Sequence, residues 1–192
     1  MGYREEMAEL VNKALKSSTR CALIKMPVRM GRSGIIAHIC KEHILQGGRV
    51  LIVTPRVDTA IGMTDTINRI CGNEAQVGWC HSGHECQMTD NIVVATCASA
   101  FVEAKQHAIK FRVAPTMLIL NEVSVYQICA RDLINVFASH KESKVIAFNV
   151  ADGRTCEEAE FWSGMNPFMI EVSTDAVTLP KSYYDIDVME LA

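Results

Sequence analysis

Short runs of apolar residues alternate with amphipathic stretches along most of this chain. Six runs are apolar at almost every position, which predicts strands buried on both faces: 21–25, 50–54, 91–96, 116–120, 144–148 and 168–172. Helical spacing of apolar residues predicts the helices between and before them: 3–16, 35–45, 57–71, 97–109 and 126–139. Residues 72–90 read as loop. The pattern predicts an α/β fold with a doubly wound, mainly parallel sheet.

One domain over residues 1–172 accounts for this alternation, and residues 173–192 lose it and read as a linker or tail. The chain has 192 residues, 49% of them hydrophobic, and no apolar run of about 20 residues, so we expect no membrane insertion. Net charge is −3, which excludes a strongly basic surface overall. Eight scattered cysteines and no export signal predict reduced thiols in a cytoplasmic, reducing compartment. Unpaired, buried thiols are expected above all at four positions: Cys21, Cys40, Cys97 and Cys129.

The first strand, turn and helix stand where a mononucleotide-binding sheet carries its phosphate loop. Residues 27–33 keep Gly31 and Ser33, but Arg32 stands where such a loop needs lysine, and Arg29 where another glycine is usual. A planar guanidinium does not replace an ammonium in a tight backbone cradle. The two arginines could be solvated loop residues, an anion pocket at a helix N-terminus, or part of an ATP site.

Five segments, taken in order, resemble motifs of the first RecA-like domain of superfamily 2 RNA helicases, closest to those of flaviviruses and potyviruses. The five segments are residues 26–33, 50–56, 91–96, 118–124 and 148–154. The resemblance implies a RecA-like, P-loop NTPase type of fold over about residues 20–172. It also implies RNA contacts at Thr54, Arg56 and Thr96, although the pattern favours an exposed turn residue at Arg56 over a phosphate contact.

Departures from the helicase pattern fall on the residues that carry its chemistry. The resemblance implies that Asn121 replaces the aspartate that holds Mg²⁺, whereas Glu122, which would position the attacking water, is kept as a vestigial catalytic residue. Ser124 replaces the coupling histidine, and residues 149–151 replace a hydroxyl-bearing motif. Phosphoryl transfer depends on charge neutralisation by lysine and Mg²⁺, so we expect no ATP hydrolysis. We also expect Asn121 and Glu122 at the end of a strand neighbouring the phosphate loop.

Two classes of function follow from this pattern. The first is a degenerate helicase-like domain, a pseudoenzyme without cofactor, that serves as a binding or structural module in a larger, viral RNA-related assembly. The second is the ATP-binding domain of an active helicase or NTPase, which would use ATP and Mg²⁺ and need a missing second RecA-like domain. A domain that binds single-stranded RNA is a weaker alternative.

One segment is rich in soft-metal ligand types. Residues 79–86 hold Cys80, His81, His84 and Cys86 within seven positions. Zinc sites usually combine two separated ligand pairs, and no second pair lies nearby in the sequence. The segment is therefore interpreted as a loop in a cysteine-rich protein, and no metal is expected.

Overall fold

The computed structural model describes residues 3–17, 20–27, 29–81, 90–105, 115–138, 142–150 and 168–171. Within these residues, seven strands form a single sheet in the order β3-β4-β2-β5-β6-β1-β7. The strands are β1 (Cys21–Met26), β2 (Val50–Thr54), β3 (Val77–Cys80), β4 (Ile92–Thr96), β5 (Met117–Asn121), β6 (Lys144–Val150) and β7 (Phe168–Glu171). All the pairings are parallel, as the uniformly apolar runs predicted.

Helices cover both faces of the sheet. They are α1 (Tyr3–Ser17), α2 (Arg32–Leu45), α3 (Val57–Cys71), α4 (Cys97–Lys105) and α5 (Gln127–Phe137), with short 3₁₀ turns at Gly72–Glu74 and Val123–Val125. Successive residues of a strand pack into two hydrophobic cores, one on each face of the sheet. In β1, Ala22 and Ile24 pack with α1, α2 and α3, whereas Cys21 and Leu23 pack with α4 and α5. This confirms the doubly wound prediction.

The strand β3 lies inside the region that the sequence predicted as loop, and that prediction was wrong. β3 is a four-residue strand at the edge of the sheet, paired only with β4 among the described residues. Val77 and Gly78 are half-buried and Trp79 is exposed, so the strand carries no continuous apolar run. Edge strands are not buried on both faces, which is why periodicity missed it.

Helix α2 begins three residues earlier than its apolar pattern predicted. Gly31 adopts a left-handed conformation with φ of 72°, and its carbonyl accepts the first helical hydrogen bond from Ile35 N at 3.2 Å. The first turn is therefore polar and includes Arg32 and Ser33. Other predicted positions lie outside the described residues, namely 106–109, 139, 172 and the tail 173–192.

The six cysteines in the described part of the chain are all free thiols, and Cys129 alone among them is half-exposed rather than buried. Burial raises the pKa of Cys21, and that of Cys40 well above its usual value. Burial at Cys21, Cys40 and Cys97 is confirmed, whereas the prediction that Cys129 is buried was wrong. Among the residues that the structure describes, no helix has the length and apolarity needed to cross a bilayer.

Acid stability is expected to depend on His43, at the end of α2. Its Nε2 lies 2.7 Å from Thr116 Oγ1, and burial together with nearby Lys144 lowers the pKa of His43 from 6.5 to about 4. The unfolded chain takes up this proton near pH 6.5 and the folded chain only near pH 4. The free energy of unfolding therefore falls on acidification through that window, by about 1–2 kcal/mol after allowance for solvent screening.

Urea unfolding of the unchanged chain and of His43→Gln at pH 7 and pH 4.5 measures this contribution. The variant should lose less stability between the two pH values, because glutamine does not titrate. An equal loss in both proteins would show that His43 is not the responsible group.

Candidate functional site

The turn between β1 and α2 lies at the carboxyl edge of the sheet, where parallel sheets bind ligands. The backbone conformation of Gly31 favours glycine at this turn. Its φ of 72° is costly for other residues, and a Cβ atom would displace the flexible guanidinium end of Arg4, which lies over the glycine. Gly34 is also covered by the Arg4 side chain. The turn that the sequence predicts as a phosphate loop thus leads from β1 into α2, with Gly31 in the left-handed conformation.

Arg4, in the first turn of α1, was not predicted as a site residue. It is 27 residues from Gly31 in the chain, and linear spacing gives no signal that its side chain lies over the loop. The packing of α1 against α2 brings it there. The loop is thus lined by three guanidinium-bearing residues, because Arg29 and Arg32 belong to it.

Arg32 is the centre of the site. Its Nη1 donates to Asn121 Oδ1 and to Glu122 Oε1, at 3.3 Å in each case. The contact with Glu122 is an ion pair in which the side chains are 12% and 28% exposed. The structure thus brings together three predicted site residues that lie about ninety positions apart.

The strand that carries Asn121 is not the immediate neighbour of β1, contrary to the sequence prediction. β6 pairs with both β1 and β5 and lies between them. The long side chain of Arg32 spans this gap. A loop residue and the end of β5 therefore meet across the end of β6.

Burial sets the electrostatics of Arg32. It lowers the pKa of Arg32, and the negative charge of Glu122 partly offsets that effect. Arg32 Nε is buried, and within the described ranges no atom accepts a hydrogen bond from it. The Glu122 ion pair is therefore the main compensation for burying this cation.

Strained backbone is confined to this site among the described non-glycine residues. Arg29 has φ of 66° and Glu122 has φ of 57°, both in the left-handed region. Such a conformation costs of order 1–2 kcal/mol for an L-residue with a side chain. Arg29 thus occupies a position that favours glycine, as the motif comparison predicted, and the turn at Glu122 aims its carboxylate at Arg32.

Tyr126 holds the end of β5 in place. Its buried hydroxyl lies 3.0 Å from both Val53 O and Asn121 O, so it ties the ends of β2 and β5 together. Burial, with smaller contributions from Cys97 and Glu122, raises the pKa of Tyr126 well above its usual value. Tyr126 remains a neutral donor, and no sequence signal had marked it.

The residues predicted to contact RNA lie at the carboxyl ends of β2 and β4. Thr54 and Thr96 are register partners in the sheet and are both buried. Thr54 Oγ1 donates to Arg56 O at 3.1 Å, and Thr96 Oγ1 accepts from Ser99 N at 3.4 Å. Both hydroxyls thus stabilise their own turns. Arg56 is exposed and paired with Asp58 at 3.2 Å.

The remaining predicted positions add little to the site. Ser33 and Ser124 are half-buried, and Asn149 is buried with its Oδ1 accepting from Val150 N at 3.0 Å. Residues 151–154 lie outside the described residues. So do His84 and Cys86 of the segment weighed as a metal site, while Trp79 and His81 form a tilted ring contact at 5.9 Å. The described residues contain no group of three or more metal-ligating side chains.

The oxygen donors at the end of β5 do not fit a magnesium ion. Mg²⁺ would need oxygen ligands here, and the candidates are the Asn121 amide oxygen and the Glu122 carboxylate. Both oxygens already accept hydrogen bonds from the Arg32 cation. A dication placed there would face that positive charge. No catalytic step through Mg²⁺ follows from this arrangement.

Strand order and the placement of helices on both faces of the parallel sheet define a RecA-like fold. Among solved structures, the fold is similar to the UvsW helicase of bacteriophage T4, with a TM-score of 0.69, 16% identity, and coverage of 89% of this chain and 60% of that one. It is also similar to the Pyrococcus furiosus Hef helicase domain, with a TM-score of 0.67, 17% identity, and coverage of 88% and 38%.

A third similar structure is the DEAD-box helicase Mss116 bound to ssRNA and UDP-BeF, with a TM-score of 0.65, 13% identity, and coverage of 91% of this chain and 44% of that one. At these identities the likeness establishes the fold alone. No protein-family model matches the chain. No curated protein matches it in sequence. The chain spans three fifths or less of the length of these three structural neighbours.

Proposed function

We propose that this chain is a degenerate helicase-like domain, in which the former nucleotide site is closed by an internal ion pair. It serves as a binding or structural module in a larger assembly, of the viral RNA-related type that its motif order suggests. The helicase-like fold is common to this proposal and to its alternatives. The hypotheses differ in whether the former nucleotide site can still bind ATP and Mg²⁺.

The hydrogen bonds from Arg32 to Asn121 and Glu122 carry the proposal. In an active NTPase, a lysine must neutralise the phosphates and an acidic residue must hold Mg²⁺. Here Arg32 stands at the lysine position and forms an ion pair with Glu122. The neutral amide of Asn121 stands at the aspartate position. Since Glu122 and Asn121 take up the charge and the Nη1 donor of Arg32, these groups are not free for phosphates or Mg²⁺.

The length of the structural neighbours supports the larger assembly. The chain spans 60% of the UvsW structure and 44% of the Mss116 structure. The partner is then another protein of the assembly or a second RecA-like domain. Free thiols in the described core support a reducing, cytoplasmic location.

Binding of single-stranded RNA is the weaker alternative. The neighbour Mss116 was solved with ssRNA, and Thr54, Arg56 and Thr96 stand at adjacent strand ends of this chain. However, both threonine hydroxyls are used within their own turns, and Arg56 alone offers an exposed cation among the three. An RNA contact here would rest on attraction between Arg56 and one phosphate, and its affinity would fall only weakly with salt.

Titration calorimetry with ATP, with and without Mg²⁺, and a phosphate-release assay test the proposal. We expect no Mg²⁺-dependent gain in binding and no hydrolysis above the buffer rate. Glu122→Gln is the matched control, because it removes the charge and keeps the shape. Hydrolysis by the unchanged chain that Glu122→Gln abolishes would establish the alternative, an active ATP- and Mg²⁺-dependent NTPase.

A further inference from the structure

The side chain of Arg4 fills a shallow trough at the start of α2. Two glycines form the trough, because they leave open the space that other side chains would take. A Cβ atom on Gly34 would lie 2.6 Å from Arg4 Cδ and 3.4 Å from Arg4 Nη1, and one on Gly31 would lie 2.9 Å from Arg4 Cζ. The end of the side chain, from Cδ to the guanidinium, therefore lies along the backbone of the first turn of α2.

Gly34 shows that the trough and Arg4 fit each other. It is a helical residue outside the left-handed region, so its backbone conformation does not call for glycine. Glycine is also less favourable than alanine inside a helix. Gly62, a helical glycine in α3, has no atom within 4 Å of the position of a Cβ atom. Gly34 differs from Gly62 in what lies against it, and the absence of a side chain at position 34 leaves the room that Arg4 takes.

Packing of α1 sets the position of Arg4. Ala8 and Val11 are fully buried in the core that α1 shares with α2, and Asn12 Nδ2 donates to Glu42 Oε2 of α2 at 2.7 Å. The amino end of a helix does not attract a cation, because its N–H groups carry a partial positive charge. The packing of α1, rather than the dipole of α2, thus places Arg4 over the turn.

We propose that Arg4 is an autoinhibitory plug, whose volume occupies the space that an anionic group would need at the amino end of α2. This end has no side-chain cap and no acidic residue in its first turn, so Arg4 covers N–H groups that suit an anion. The inference rests on the proposed function: the Arg32–Glu122 ion pair takes up the charge of the site, and Arg4 fills its space. Displacement of the first turn of α1 would open the trough again.

Calorimetric titration with inorganic tripolyphosphate in metal-free buffer tests the plug. We expect no measurable binding by the unchanged chain, and binding by Arg4→Ala at least about tenfold above the detection limit. The loss of a cation by itself weakens the attraction of an anion. A gain in affinity on removal of Arg4 must therefore come from the space that is opened.

Two further variants are controls for this titration. Arg4→Met removes the charge but keeps most of the length of the side chain, so it should still exclude tripolyphosphate. Arg69→Ala removes an exposed arginine in the last turn of α3, away from the trough, and should bind no better than the unchanged chain. Arg4 is only half-buried, so we expect every variant to keep the circular dichroism of the unchanged chain.

Urea unfolding tests the trough without any ligand. Gly34→Ala should raise the urea midpoint more in the Arg4→Ala background than in the unchanged chain, because alanine favours the helix but takes the place of Arg4 Cδ. Gly62→Ala should raise the midpoint equally in both backgrounds. An equal effect of Gly34→Ala in both backgrounds would mean that Arg4 does not lie in the trough, and would overturn the proposal.

Three titration results would also overturn the plug. They are no binding by a folded Arg4→Ala, equal binding by Arg4→Met and Arg4→Ala, and binding by the unchanged chain that Arg4→Ala weakens. The first two leave the Arg32–Glu122 ion pair as the closure of the site. Failure of the proposed function has a different sign, which is Mg²⁺-dependent hydrolysis of ATP by the unchanged chain.

Discussion

The triple variant Arg29→Gly, Arg32→Lys, Asn121→Asp is expected to bind Mg²⁺–ATP at least about tenfold more tightly than the unchanged chain, equivalent to about 1.4 kcal/mol. Each change reverses one feature of the closed site. Glycine relieves the left-handed strain at φ of 66° and empties the loop of a side chain. Lysine supplies a compact charge, and aspartate supplies the oxygen ligand that Mg²⁺ prefers.

Calorimetry with and without Mg²⁺ measures this gain. Arg56→Lys is the matched control, because it changes an exposed arginine that pairs with Asp58 away from the loop, and it should not alter binding. Equal affinity in the triple variant and the unchanged chain, with the fold intact by circular dichroism, would mean that these three positions did not close the site.

Phe148→Ala should lower the free energy of unfolding by about 3–5 kcal/mol. Phe148 is fully buried in β6 and is in register with Ile24 of β1 and Asn121 of β5. Its side chain lies in the core shared with α1, α2 and α3, beneath the loop. Because β6 separates the two halves of the site, a cavity here removes packing that holds them at their distance.

Urea unfolding of the variant measures the loss. Phe148→Leu retains most of the volume and should cost less, and Ile128→Ala, at a side chain that is 87% exposed, should cost close to nothing. A loss below about 1 kcal/mol for Phe148→Ala would show that the neighbouring helices collapse into the space.

The local pattern of apolar and polar residues was sufficient to predict the parallel α/β architecture. Almost uniformly apolar, β-branched runs such as 50–54 predicted strands buried on both faces, and the helical spacing over 57–71 predicted α3 with its observed bounds. The glycine at position 31 and the misplaced arginine at position 29 were also readable, since a phosphate loop has a fixed order of residue types. The left-handed φ of Arg29 agrees with that interpretation.

Tertiary structure alone decided which side chains contact one another in the site. The partners of Arg32 lie on a strand separated from β1 by β6, and the position of Arg4 over Gly31 depends on how α1 packs on α2. Both contacts depend on strand order and helix packing, which local patterns of apolar and polar residues do not encode. β3 escaped detection for a related reason: a half-exposed edge strand owes its pairing to β4 rather than to its own sequence. The sequence by itself determined the architecture and the altered motif residues, and the long-range packing determined that those residues bind one another.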